Sequence, residues 1–197
     1  MTHFKSLALA AAAAAILAAG PARADDRYEI FNFGKLFGSP PAGMGYVGSS
    51  SPIGRQMASV DPKYAPGTII IRTSERRLYY VTARGQAIRY GIGVGRDGFQ
   101  WSGVKTVSAK KEWPSWTPPS QMLRRRPDLP RYMPGGIDNP LGARAMYLGS
   151  SLYRIHGSNE PETIGQAVSS GCFRMTNDDV VDLYNRVHVG ATVYVLR

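Results

Sequence analysis

From Thr68 onward the sequence is cut into short β-branched and aromatic runs by turn residues, and that rhythm restricts the fold to one built mainly from strands. Thr68-Ile69-Ile70-Ile71-Arg72 and Leu78-Tyr79-Tyr80-Val81 are the first two runs. Ala83-Arg84-Gly85-Gln86 is a turn, Ala87 to Val94 returns as a third strand, and Val104 to Lys111 makes another. Ala145 to Leu148 and Leu152 to His156 read as a hairpin around Gly149-Ser150, and Thr192 to Leu196 closes the domain. One helix stands out, over about residues 176–187. Thr176 is its N-cap, Asp179 sits at the capping-box position, and Val180, Leu183, Tyr184 and Val187 fall on one apolar face before Gly190. Pro114, Pro118, Pro119, Pro127, Pro130, Pro134 and Pro140 exclude regular structure over most of residues 113–143. A loop of that length in a compact domain reads as a lid or a disordered insert. The expected fold is mainly antiparallel β with one main helix.

The first 24 residues read as a signal peptide. Lys5 supplies a positive start, Leu7 to Ala19 an apolar core, and Ala22-Arg23-Ala24 a small-x-small cleavage site. The apolar run is alanine-rich and shorter than the roughly 20 residues needed to span a bilayer. Export to the periplasm is therefore expected, with no transmembrane segment in the mature chain. Residues 25–66 form a Gly/Pro/Ser-rich arm in which no apolar periodicity can be followed, apart from a strand-like stretch near Tyr28 to Phe33. Removing residues 1–24 takes Lys5 and Arg23 from the 24 basic residues, leaving 22 against 14 acidic ones, a formal charge of +8. Outside the cytoplasm such charge favours anionic cell-wall polymers and membrane surfaces over chromosomes.

Cys172 is the one cysteine in the chain, so it makes no internal disulfide. An unperturbed thiol is only a few per cent thiolate near neutrality and needs a base to act as a nucleophile. His3 falls in the signal and His188 at the end of the helix, where it favours the negative end of the dipole. That leaves His156, at the end of a strand and followed by Gly157, which lets backbone groups approach the ring and fix its tautomer. The N–H groups of Gly171 and Cys172 are candidate oxyanion donors. From residue types alone the alternative stays open: a buried thiol acting as a small hydrophobe and a satisfied core histidine.

Ile155-His156-Gly157 together with Ser169-Ser170-Gly171-Cys172-Phe173-Arg174-Met175 resembles the signature of the L,D-transpeptidase catalytic domain, the YkuD-type family. Asn139-Pro140-Leu141-Gly142, Met146-Tyr147-Leu148 and Ile164-Gly165 extend the resemblance, which covers about residues 67–197. It implies a β-sandwich-like domain with a capping lid and a cysteine acyltransferase acting on peptidoglycan stem peptides. Cys172 would be the nucleophile, His156 the base, and the Gly157 backbone its orienting partner. The sulfur would attack at the bond between an L-diamino acid and D-alanine, release D-alanine, and pass the acyl group to an amine in a 3–3 cross-link or to an envelope protein. Water as acceptor would make the enzyme an L,D-carboxypeptidase, and an inactive peptidoglycan-binding module is the remaining alternative. Carbapenems should acylate Cys172. Arg174, Ser169, Ser170, Trp116 and Tyr147 are the substrate-binding candidates. Many family members carry histidine where this chain has Ser170, and serine does not titrate near neutrality.

Other signals point nowhere else. Gly93-Val94-Gly95-Arg96-Asp97-Gly98 matches a dinucleotide fingerprint, but the Phe99 to Gly103 stretch that follows is a poor helix. Arg124-Arg125-Arg126 reads as a solvated lid face rather than a nucleic-acid patch. Among the tryptophans, Trp101 and Trp113 read as core as readily as groove, and Trp116 as the better groove candidate. One thiol and one usable imidazole fall short of a zinc site; no metal or cofactor is expected.

Overall fold

The computed structural model describes residues 51–197; the stretch read as a signal peptide, most of the arm and the Tyr28 to Phe33 stretch lie outside them. Eleven strands run in chain order as β1 (Gln56–Ser59), β2 (Ile69–Arg72), β3 (Arg77–Ala83), β4 (Gln86–Gly91), β5 (Val94–Gly95), β6 (Gly103–Glu112), β7 (Arg144–Leu148), β8 (Arg154–His156), β9 (Ala167–Ser169), β10 (Phe173–Arg174) and β11 (Thr192–Leu196). Two helices join them, α1 (Ser120–Arg125) and α2 (Asn177–Arg186). The fold is mainly β with one main helix.

Nine strands form one sheet in the order β1-β4-β3-β2-β11-β6-β7-β8-β10, and β5 pairs with β9 separately. The hinge of the sheet is β6. Its first residues pair with β11 and its later ones with β7, with a register shift between Val107 and Ala109. An extra residue of this kind bends and twists a strand, which lets one ten-residue strand serve two halves of the sheet. Ile69, Ile71, Leu78 and Tyr90 from one half meet Met146, Leu148, Ile155 and Phe173 from the other in a shared core, with Val180 and Leu183 of α2. Ile70 points the opposite way, onto Tyr79, Val81 and Ala87, so β2 is buried on both faces as its unbroken Ile run requires. The ladders are mostly antiparallel, but β2–β11, β8–β10 and β5–β9 run parallel.

Helix α2 starts where its cap predicts. The Asp179 N–H donates to Thr176 Oγ1 at 3.3 Å. The Asp179 carboxylate pairs with Arg55 at 3.0 Å, and Arg55 also reaches Asp182 at 3.1 Å. At the other end Lys110 Nζ donates to the carbonyls of Tyr184 and Val187, placing a cation on the negative end of the helix.

Two expectations change. Strand β1 lies inside the stretch read as an arm. It is a sheet edge with three of its four residues exposed, Met57 at 63%, so its pairing with β4 is carried by backbone and leaves no apolar alternation to see. Residues 113–143 are ordered in place: Trp116 and Met133 exchange backbone hydrogen bonds at 2.8 Å, and α1 adds a short helical turn. Asn139 closes the segment by donating to Pro134 O and accepting from Leu141 N–H, at 2.8 and 2.9 Å.

Because Thr176 is fully buried and its hydroxyl satisfies an N-terminal amide, Thr176→Ala should cost about 1 kcal/mol while Thr176→Ser costs a few tenths. The midpoint of urea unfolding at constant slope measures both.

Candidate active site

The parallel pairing of β8 and β10 sets Phe173 opposite Ile155 and Arg174 opposite His156. Ile155 and Phe173 are in the core. Strand side chains alternate between faces, so Arg154, His156, Cys172 and Arg174 share the other face. Cys172 precedes the pair Phe173–Ile155 by one residue, which sets it level with Arg154.

His156 is 4% exposed. Its Nδ1 lies 2.5 Å from the Gly157 carbonyl. A carbonyl only accepts, so Nδ1 carries the proton and Nε2 keeps its lone pair. Burial, with the Arg174 charge added to it, pushes the imidazole pKa down to about 3, against the opposing pull of the Gly157 carbonyl. The ring is a neutral base at physiological pH. Gly157 has no room for a side chain: an added Cβ would stand 2.3 Å from Asn177 Oδ1. That oxygen accepts from Ala143 N–H at 2.8 Å, tying the end of the proline-rich segment to the start of α2 behind the histidine.

The Cys172 thiol is free and half-buried. Its Sγ approaches the Leu152 carbonyl at 3.7 Å. Burial raises the thiol pKa above its ordinary value, and the Arg154 and Arg174 charges pull the other way. The resting pair is thus a neutral thiol with a neutral imidazole, not an ion pair.

Around the sulfur the loop is held by a small network. Ser169 Oγ donates to Cys172 O at 2.6 Å and accepts from Gly171 N–H at 3.1 Å. The Gly171 N–H, a candidate oxyanion donor, donates to Ser169 Oγ in this arrangement. Gly171 has φ of +107°, and an added Cβ would stand 2.6 Å from the Tyr153 ring. Trp101 stacks on Tyr153 with centroids 4.5 Å apart and donates Nε1–H to Gly171 O at 2.8 Å. Ser170 Oγ accepts from Arg96 at 3.4 Å. The guanidinium groups of Arg96 and Arg125 lie 4.0 and 5.2 Å from the Phe99 ring centroid, which places α1 beside this loop.

Of the other candidates, Arg174 is 9% exposed and paired with Glu160 at 2.8 Å. Tyr147 stands opposite Arg154 on β7, with the guanidinium 5.2 Å from its ring centroid. Trp116 does not line an open groove. It is 6% exposed because its strand-like pairing with Met133 folds the segment over it, and Trp113 is the more open tryptophan at 36%. Sequence reasoning passed over Arg154, Tyr153 and Glu160. Arg154 was within reach, since it precedes His156 by two and so shares its face. Among the described residues no group of three or more His, Cys, Asp or Glu could hold a metal, and no helix is long and apolar enough to cross a membrane.

The YkuD family, described as the L,D-transpeptidase catalytic domain, matches residues 66–195. The chain belongs to that family. The Escherichia coli protein named probable L,D-transpeptidase ErfK/SrfK is 39% identical over 137 residues, 65% of this chain and 43% of that protein. The chain thus spans less than half the length of that relative. The fold is shared with an L,D-transpeptidase from Mycobacterium smegmatis, at 18% identity and TM-score 0.52 over 66% of this chain and 58% of that one. It is also shared with the catalytic domain of an Enterococcus faecium L,D-transpeptidase acylated by ertapenem, at 20% identity and TM-score 0.51 over 66% and 95%.

The buried imidazole makes this L,D-transpeptidase domain acid-sensitive. Folded His156 stays neutral until about pH 3, whereas the unfolded side chain gains its proton near 6.5. Unfolded chains therefore bind more protons across that window, and stability falls with falling pH by about 1.4 kcal/mol per unit between pH 6 and 4. Urea midpoints at pH 7, 6, 5 and 4 should fall more steeply in the wild type than in His156→Gln.

Proposed function

We propose that this protein is a periplasmic peptidoglycan L,D-transpeptidase in which Cys172 and His156 carry the acyl transfer. The observation that supports it most is a buried, neutral imidazole with its basic nitrogen unprotonated, on the same face and the adjacent strand as a half-exposed thiol. His156 Nε2 takes the thiol proton as Cys172 Sγ attacks the carbonyl between the L-centre of the third, diamino residue and the terminal D-alanine. The C–N bond breaks, the proton passes to the leaving amine, and a thioester remains. An acceptor amine attacks that thioester and gives its proton to His156. The sulfur then leaves with its electron pair and takes the proton back. Starting from neutral groups suits this cycle, because no charge is buried until substrate excludes water.

Arg96, Arg154 and Arg174 give the surroundings a positive bias suited to an anionic stem peptide, although Arg174 already holds Glu160. Tyr147 extends the same face, and Ser169 and Ser170 shape the loop that presents the sulfur. Residues 1–24 would direct export. A stem amine is the acceptor that fits a 3–3 cross-link, and an envelope protein amine is the second acceptor class.

Incubation with disaccharide-tetrapeptide and mass analysis tests this reading. A dimer lighter by one D-alanine is the expected product. Monomeric tripeptide alone would assign the acceptor role to water, and unchanged substrate would leave a binding module. With ertapenem, one adduct should appear on the peptide containing Cys172 and vanish in Cys172→Ala, while His156→Ala should slow its formation roughly 10²–10⁴-fold. An adduct persisting in Cys172→Ala would overturn the assignment of the nucleophile.

A further inference from the structure

When His156 takes the thiol proton, the imidazolium by itself is a poor counter-ion for the ionised sulfur. Protonating His156 would put a third cation beside Arg154 and Arg174, both of which already push its proton off. We infer that Arg154 is the cation that holds the Cys172 thiolate, both when the sulfur attacks and when it leaves the thioester. This rests on the acyl-transfer reading above.

Geometry carries it. Arg154 Nη1 donates to the Leu152 carbonyl at 3.2 Å, and Cys172 Sγ approaches that same oxygen at 3.7 Å. One acceptor thus gathers guanidinium and sulfur at one point. The β8–β10 register sets Cys172 level with Arg154, on the same face. Behind the guanidinium the Tyr147 ring, 5.2 Å away, forms a flat wall that orients it. Arg154 Nε is buried with no hydrogen-bond partner, so the side chain has a donor in reserve. A thiol is a weak acceptor and a thiolate a strong one, so ionisation strengthens the acceptor that faces this donor.

The other groups facing the sulfur are less suited. Arg174 on its own strand is bound by Glu160. Arg96 serves the Ser170 hydroxyl and the Phe99 ring. His156 is neutral, and Lys111 lies 5.8 Å from the Tyr147 ring on the far side of that strand pair. Arg154 also opposes the burial that raises the thiol pKa. An adjacent opposite charge typically moves a pKa by about 1–3 units.

The test reads the thiol without substrate. Iodoacetamide alkylation rates of full-length wild type, Arg154→Gln and Arg154→Lys are followed from pH 5.5 to 10, with thermal melts to confirm folding. The expected result is a midpoint raised by about one unit or more in Arg154→Gln, with alkylation about tenfold slower at pH 7. Arg154→Lys, which keeps the charge, should stay within about half a unit of wild type. If Arg154→Gln does not fold, Arg154→Met takes its place as the neutral variant. An unmoved midpoint in a folded neutral variant overturns the inference, as does a Lys variant displaced as far as the neutral one, which would assign the effect to packing. Ertapenem separates the two levels: a wild-type adduct with an unmoved midpoint sinks only the role of Arg154. Absence of the wild-type adduct sinks acyl transfer itself.

Discussion

Two residues of parallel ladder, Phe173 against Ile155 and Arg174 against His156, hold the site together. Every chemically useful side chain near the sulfur takes its direction from that pairing. Ile155 and Phe173 anchor the strands in the core, so their neighbours are turned to the opposite face without any interaction of their own needed to aim them. A slip of one residue would exchange the two sets and bury the thiol and imidazole in the core. Fully buried Phe173, worth several kcal/mol on the scale of large-to-small substitutions, guards that register as much as it stabilises the fold.

Polar atoms are then fixed by tight backbone. Gly157 lets Asn177 come close enough to bind Ala143, and its own carbonyl sets the tautomer of His156. Gly171 lets Tyr153 and Trp101 lie against the nucleophile loop. These are contacts that a side chain at either glycine would push apart. Charge is handled in the same economical way: Glu160 quiets Arg174, Arg55 meets the buried Asp179, and Arg154 is left beside the sulfur.

Much of this was legible in the residues. The short strands and the Thr176 cap follow from local pattern, because period-two alternation and capping depend on neighbours in sequence, whereas the Cys172–His156 pairing rests on the resemblance to the family. What stayed hidden depends on neighbours in space. Strand β1 shows no alternation because an edge strand needs only backbone. The parallel pairings of β2 with β11 and β8 with β10 join distant segments and leave no turn to mark them. Trp116 was misplaced because flanking prolines signal a loop and say nothing about whether it folds back on itself, as the Met133 pairing makes it do. The hydrogen bond from Gly171 N–H to Ser169 Oγ is equally invisible in the sequence, because it depends on Ser169 bending back over the loop.

Protonation of His156 is the most direct measure of this account. Long-range proton–nitrogen NMR of histidine-labelled protein reports which ring nitrogen carries the proton, with exposed His188 as an internal reference. A protonated Nδ1, a bare Nε2 and no titration of His156 down to about pH 4 are expected, given a pKa of about 3. An imidazole titrating near 6.5, or one protonated on Nε2, would contradict this.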